Sequence, residues 1–413
     1  MAYSGLGTIT GFAILALMLG LKKPVWMALL SASLTMGLLD AGFSGLVEIV
    51  SSTASSSSAL DLILITFLIA VFVNLYRVSG FLAKLGEELV KFLKKPRIIA
   101  MFVPAVMGLL PVAGGALMSA PVVDTVGSHL RLSKKLRLFI NVWFRHVIFM
   151  VYPLSTVVIT IATLAGISVW YIVLRGIPIA LFMVITGYLL GFRGYHPHFA
   201  GVSGEANLST LARVFSPILV AVGTAVAMSP LLDGPTLPQI PLTRYSMILG
   251  LILAIILLVK LSKVNLEGIR DAALSKSVVE LVVAAFSAIL LRDVFVAVKG
   301  PEMFSNLLLP RNEIEKTVLL ALVPLVVSLA TGSPLTGGIV AISVFQPTLS
   351  MGLKEVSLIY ASNMLGYLAS PAHLCYVYTA QYFEQPLTSA YPEMFAAVTV
   401  TLAVAICMYF MLP

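Results

Sequence analysis

Residues 59–78 read Ala-Leu-Asp-Leu-Ile-Leu-Ile-Thr-Phe-Leu-Ile-Ala-Val-Phe-Val-Asn-Leu-Tyr-Arg-Val. About 20 residues of this texture, each rising 1.5 Å as helix, cross a hydrocarbon core of ~30 Å. Lipid offers the backbone no hydrogen-bond partner, so a spanning segment is a helix or part of a closed barrel. A barrel strand alternates in hydrophobicity over about ten residues, and this continuous run does not. The whole chain shares the pattern: 59% of its 413 residues are hydrophobic and 11% charged, with a mean hydropathy of +1.03. A soluble domain carries about 25% charged residues. The fold class is therefore an all-α polytopic membrane protein.

Ten segments read as crossings: 4–21, 24–42, 59–79, 138–166, 169–191, 210–231, 244–260, 277–298, 355–383 and 390–412. The N-terminal stretch 1–20 lacks a basic leader and reads as a retained span. Two further apolar segments, 98–127 and 317–345, are interrupted at their centres by Pro111-Val-Ala-Gly-Gly115 and Thr331-Gly-Ser-Pro-Leu-Thr-Gly-Gly338. Gly and Pro clusters break helices, so each segment is a kinked span or a re-entrant hairpin. Flanking charge separates these. Lys94, Lys95 and Arg97 precede the first, and Arg131, Lys134, Lys135 and Arg137 follow it. With both segments as hairpins and both termini outside the plasma (inner) membrane, 18 Lys and Arg fall inside against 5 outside; with both as spans the split is 12 against 11. The positive-inside bias selects hairpins, with arms of about 13 residues reaching mid-membrane. The net charge of +8 is thus accounted for by cytoplasmic loops, and no nucleic-acid partner is expected.

The two interrupted segments correspond. Val103-Pro104 precedes Pro111 as Val323-Pro324 precedes Thr331, and a shift of about 220 residues also lays 24–42 on 244–260, 59–79 on 277–298 and 138–166 on 355–383. The chain is expected to hold a first repeat over 1–195 with an inward-opening hairpin, a cytoplasmic linker over 196–209, and a second repeat over 210–413 with an outward-opening hairpin. Five crossings per repeat is odd, so the second is inverted relative to the first, a transporter architecture.

Segments 138–166 and 355–383 carry Pro153 and Ser370-Pro371 near their centres. Proline removes a donor and frees the carbonyl four residues earlier, at Phe149 and Tyr367. Ser370-Pro371 reads as an N-cap and first-turn pair. Helix N-termini are expected after Gly115, after Thr336, at Pro153 and at Pro371. They favour an anion, while the opposing carbonyls suit Na+. Gly114, Gly115, Gly337 and Gly338 would let backbone approach a ligand. Arg145 reads either as a ligand for a carboxylate or phosphate or as a snorkelling cation. His373 reads either as a substrate or proton ligand or as a cap. Asn141 and Asn363 coordinate a solute or bridge helices. Arg292 and Asp293 read as an ion pair, and Asp124 as a lysine-paired or helix-end residue. The stretch 51–58 reads as a polar outer loop, 80–97 as an amphipathic surface segment, and His196-Pro-His198 as loop punctuation. Cys375 and Cys407 have neither disulfide nor zinc spacing.

On these hairpins and breaks the chain resembles the ion transporter superfamily of gluconate, citrate and dicarboxylate permeases. Within it the chain most resembles a prokaryotic ten-span family of unknown function. The resemblance implies a substrate site at Gly114, Gly115, Arg145, Ser155, Ser333, Thr336, Gly337, Asn363, Ser370 and His373. It implies ion coupling near Pro111, Asn141, His146 and Thr331, and a homodimer. The expected function is secondary active transport of a small organic anion, a carboxylate or sugar acid, with Na+ or H+, in contact with membrane lipids and without a resident cofactor or metal. A cation/proton antiporter is the alternative, short of midplane carboxylates. An intramembrane enzyme is the rival class; neither His-Glu-x-x-His nor Gly-x-Ser-x-Gly occurs.

Overall fold

A computed structural model describes residues 5–21, 23–109, 116–193, 205–232, 245–300 and 310–411. Every regular element among them is helical. In chain order they are α1 (Leu6–Gly20), α2 (Val25–Asp40), α3 (Gly42–Ser55), α4 (Ser57–Val78), α5 (Phe81–Leu93), α6 (Pro96–Gly108), α7 (Ala116–His129), α8 (Lys134–Val147), α9 (Thr156–Ala165) and α10 (Val169–Gly191). There follow α11 (Leu208–Leu232), α12 (Tyr245–Ser262), α13 (Leu266–Ala273), α14 (Lys276–Ala297), α15 (Glu313–Thr331), α16 (Pro334–Phe345), α17 (Leu353–Ala369), α18 (Leu374–Tyr382) and α19 (Tyr391–Met411). Six stretches of the described residues are long and apolar enough to cross a bilayer: Ala59–Val78, Val169–Gly191, Leu208–Ser229, Tyr245–Ser262, Glu313–Thr331 and Tyr391–Met411. Large apolar side chains stand outward on them, among them Leu181 and Leu189 on α10 and Leu219 and Val226 on α11. In water such a surface would associate; here it is the lipid-facing coat.

The element ends follow local chemistry. The Ser56 hydroxyl accepts the Ala59 N–H at the start of α4, and Ser133 does the same for Leu136 at α8. Asp40 at the end of α2 accepts the Gly7 and Thr8 N–H groups of α1 at 3.0 and 2.8 Å, placing a carboxylate at a helix N-terminus. The expected outer loop over 51–58 is instead the last turn of α3 and the first of α4. The Ser52 and Ser55 hydroxyls bond back to the Ile49 and Ser51 carbonyls, which lets a serine run stay helical. The amphipathic segment forms α5, pinned to the start of α11 by Glu88, which accepts from Lys91 Nζ and from the Asn207 N–H. Those two donors hold the Glu88 carboxyl below its ordinary value. Arg292 and Asp293 pair at 2.8 Å, and Asp124 pairs with Arg137 at 2.7 Å.

The packing comes in reciprocal sets. Helix α2 packs on α14 and α12 on α4; α16 packs on α9 and α7 on α18. Helices α6 and α7 pack on each other, as do α15 and α16. The expected arm of about 13 residues fits α6, α7 and α16, whereas α15 runs for 19 residues. His196, His198 and most of the 196–209 linker lie outside the described residues.

Candidate functional site

The second interrupted segment turns at Gly332, whose φ of +63° ends α15 in the left-handed region. A Cβ there would lie 2.8 Å from the Ala372 backbone, so the turn sits directly on the break between α17 and α18. Ser333 caps α16 by accepting the Thr336 N–H at 3.2 Å and hydroxyl at 2.9 Å. Helix α16 therefore begins at Pro334, a first-turn proline, rather than after Thr336. The Thr331 hydroxyl donates to the Val327 carbonyl and accepts the Ser333 N–H.

Asn363 on α17 clasps this turn. Its amide donates to the Pro334 carbonyl at 2.7 Å and its carbonyl accepts the Ser328 hydroxyl. A Cβ at Gly337 would strike Ser328 Oγ and Asn363 Oδ1, and one at Gly338 would strike Ile161. Those glycines admit neighbouring helices. Asn141 on α8 repeats the clasp: it donates to the Ala116 carbonyl at 2.9 Å and to Thr379 Oγ1 at 3.2 Å, and accepts from Ser119 at 2.7 Å. In both cases the amide grips the carbonyl of the first residue of a helix. Pro111, Gly114 and Gly115 lie outside the described residues.

Both long segments are broken across their prolines, but the next helix starts beyond each proline rather than at it. Helix α8 ends at Val147 and passes through a 3-10 turn over Ile148–Met150; α9 starts at Thr156, after Ser155. Helix α17 ends at Ala369 and α18 starts at Leu374, with His373 in the capping position. The expected N-termini at Pro153 and Pro371 are thus displaced by three residues. A proline disfavours helical backbone in the residue before it, and Ser370 accordingly has ψ of 133° and closes α17 instead of opening α18. The Ser370 hydroxyl donates to the Leu329 carbonyl at 2.6 Å. The carbonyls expected to be freed have partners: Phe149 accepts the Tyr360 hydroxyl at 2.5 Å and Tyr367 accepts the Ser370 N–H at 3.1 Å.

Arg145 is 1% exposed and donates to the Met107 carbonyl on α6 at 2.8 Å. It is buried among helices, which rules out the snorkelling reading. His146 and His373 are equally buried, their rings 4.6 Å apart, so the two breaks bring these imidazoles together from segments more than 200 residues apart in sequence.

A cavity of about 450 Å³ lies where α9 and α16 begin. Thr156 and Ser333 with Leu335 supply one side; Trp26 of α2, Asn74 and Arg77 of α4, and Ser277 and Glu280 of α14 supply the other. The first N–H groups of a helix have no acceptor within it; at α9 no capping side chain takes them, whereas at α16 Pro334 has none and that of Thr336 goes to Ser333, and both helix starts border one space beside a guanidinium. Anions bind in such surroundings. Among the described residues, Ser333 alone of those expected from sequence lines this cavity; Ser155 precedes the lining Thr156. Arg77, Asn74, Ser277 and Glu280, which also line it, were not expected from sequence. Their spacing is a usable signal: Asn74 and Arg77, like Ser277 and Glu280, stand three apart on a helical face at the end of an otherwise apolar run.

The sequence family described as "Protein of unknown function (DUF401)" matches residues 7–412. Two solved structures are similar. The YdaH transporter of Alcanivorax borkumensis superposes with a TM-score of 0.61 at 15% identity, covering 96% of this chain and 97% of its own. MtrF of Neisseria gonorrhoeae, described with a class of antimetabolite efflux pumps, gives 0.54 at 14% identity, covering 91% and 86%. At these identities the likeness is one of fold. No curated protein matches the sequence.

Proposed function

Starting from a chain that belongs to the DUF401 family, we propose that this protein is a secondary active transporter of a small organic anion. The observation that carries the reading is the cavity in which the N-termini of α9 and α16 meet Arg77. Two helix ends contribute roughly 0.3–1 kcal/mol each toward an anion at an exposed site and up to ~2 kcal/mol when partly buried, and Arg77 offers a two-pronged fit to a carboxylate. A volume of about 450 Å³ suits a metabolite-sized solute.

The cavity lies between two groups of helices. One side belongs to α2, α4 and α14, which pack on one another and act as scaffold. The other belongs to the hairpin and broken-helix unit. Sliding of that unit against the scaffold would carry the site from one face to the other, as alternating access requires. The coupling ion is H+ or Na+. Glu280, whose carboxylate lies 3.8 Å from Lys276 Nζ, brings an acidic group to the cavity lining.

Uptake of radiolabelled carboxylates and sugar acids into proteoliposomes tests this. An imposed pH or Na+ gradient should accelerate uptake. Arg77→Ala should weaken anion binding by roughly tenfold or more, about 1.4 kcal/mol per factor of ten. Glu280→Gln, which takes an acidic group out of the lining, should strengthen anion binding. Uptake indifferent to both gradients would overturn the coupled-carrier reading.

A further inference from the structure

The two breaks bring together a third side chain besides their imidazoles. His146 lies in the last turn of α8, His373 immediately precedes α18, and Cys375 stands two residues further on, in its first turn. One ligand atom from each lies within 4.8 Å of the others, and all three residues are buried. None of the three lines the 450 Å³ cavity.

The ring nitrogens are prepared unequally. His146 Nδ1 lies 2.7 Å from the Val142 carbonyl. A carbonyl only accepts, so Nδ1 carries the proton and Nε2 presents a lone pair. A backbone carbonyl behind one ring nitrogen is the usual arrangement for an imidazole whose other nitrogen binds metal. His373 is fully buried, and neither of its nitrogens has a hydrogen-bond partner among the described residues. Burying an imidazole with both nitrogens unmatched is unfavourable, and an occupant would relieve it. The Tyr367 ring, 3.9 Å away by centroid, and the His146 ring hold it in place.

We propose that His146, His373 and Cys375 bind one soft monovalent metal ion, Cu+, across the two breaks. Two imidazoles and one thiolate form the trigonal set that selects copper. Charge favours Cu+ over Zn2+. Binding releases the thiol proton, so thiolate and Cu+ leave a neutral complex, whereas Zn2+ would leave a net positive one. Arg145, fully buried one residue before His146, already places a cation in this low-dielectric region, where added net charge is expensive. Zn2+ also prefers four donors, and the cluster supplies three. Metal–donor bonds of about 2.0–2.3 Å set donor separations near 3.5 Å, so the set closes by roughly 1 Å on binding and draws the end of α8 toward the start of α18.

The test uses the purified full chain, reduced and free of oxygen, with Cu+ supplied from its bicinchoninate complex. The protein should withdraw one Cu+ per chain, and X-ray absorption should show two nitrogen neighbours and one sulfur. Cys407→Ser, at an exposed cysteine, should bind as the parent does. Cys375→Ser and His373→Gln should each weaken binding by about 100-fold or more. Were a variant to misfold, the absorption spectrum of the Cys407→Ser protein still decides: a shell without sulfur overturns the site. Failure to withdraw Cu+, or Zn2+ held as tightly as Cu+, also overturns it. Neither readout uses anion uptake, so the proposal stands or falls apart from the transport reading.

Discussion

At the scale of single residues, the side chains that most resemble ligands are those the fold itself consumes. Asn363 is 0% exposed and spends its amide on Ser328 and Pro334. Asn363→Ala would strand a hydroxyl and a carbonyl in a place water does not reach. Buried bonds between membrane helices are worth ~0.6–1.7 kcal/mol each, so this variant should lose roughly 1–3 kcal/mol and melt at lower temperature. Asn363→Asp should be no rescue, because an ionised carboxylate cannot donate to the Pro334 carbonyl. An unchanged melting point for Asn363→Ala would show that the amide serves something other than the clasp. Sequence reading found Asn141 and Asn363 because an amide inside an apolar run stands out. It could not find their partners: Ser119 and Ser328 lie on other helices, and which serine meets which asparagine is decided by packing. Arg77 and Glu280 escaped for the opposite reason. Each lies near an end of a run, where a charge is ordinarily explained by the membrane surface.

At the scale of elements, the ten segments read from hydrophobic length correspond to α1, α2, α4, the α8–α9 pair, α10, α11, α12, α14, the α17–α18 pair and α19. Length and apolarity determine these, since a helix must match the bilayer. The breaks fall at the prolines that marked them, but the helix starts beyond them lie three residues later than expected. Proline identifies where a helix cannot continue, whereas the next start is set by the backbone beyond it: Ser155 and His373 stay extended just before α9 and α18. The serine-rich stretch after Gly42 was misread because composition suggested loop while local hydroxyl-to-backbone bonds sustain α3. Gly332 joins two of these elements, turning α15 into α16 on top of Ala372. Gly332→Ala meets both an unfavourable positive φ, about 1–2 kcal/mol, and a backbone collision with the α17–α18 break. It should lower the melting temperature and slow anion uptake together. Gly366→Ala, which would press a methyl onto the Leu325 carbonyl from 2.1 Å, should also lower the melting temperature, and does so without touching the turn. Uptake by Gly332→Ala at the parental rate would show that contact between turn and break is dispensable.

At the scale of the molecule, charge and packing bear on the same question, which is how the chain lies in the membrane. If the second half were a copy of the first in opposite orientation, contacts between the halves would have to exchange roles. They do so in the pairs α2–α14 and α12–α4, and again in α16–α9 and α7–α18. Parallel and inverted repeats both produce such exchange, so orientation is what needs a test. The positive-inside bias is independent of packing, and it acts on loops alone. It assigns the residues flanking α6 and α7 to one face, and Arg311, ahead of α15, to the other. Lys95, Arg131 and Arg311 are exposed, so each can carry a reporter. In a background where Cys375 and Cys407 are serine, Lys95→Cys and Arg131→Cys should react with a membrane-impermeant maleimide only after the inner face is opened, and Arg311→Cys should react in intact cells. Opposite reactivity of positions 95 and 131 would make α6 and α7 halves of a crossing helix. The proposed inversion of the second repeat would then fall, and with it the alternating-access reading proposed on it.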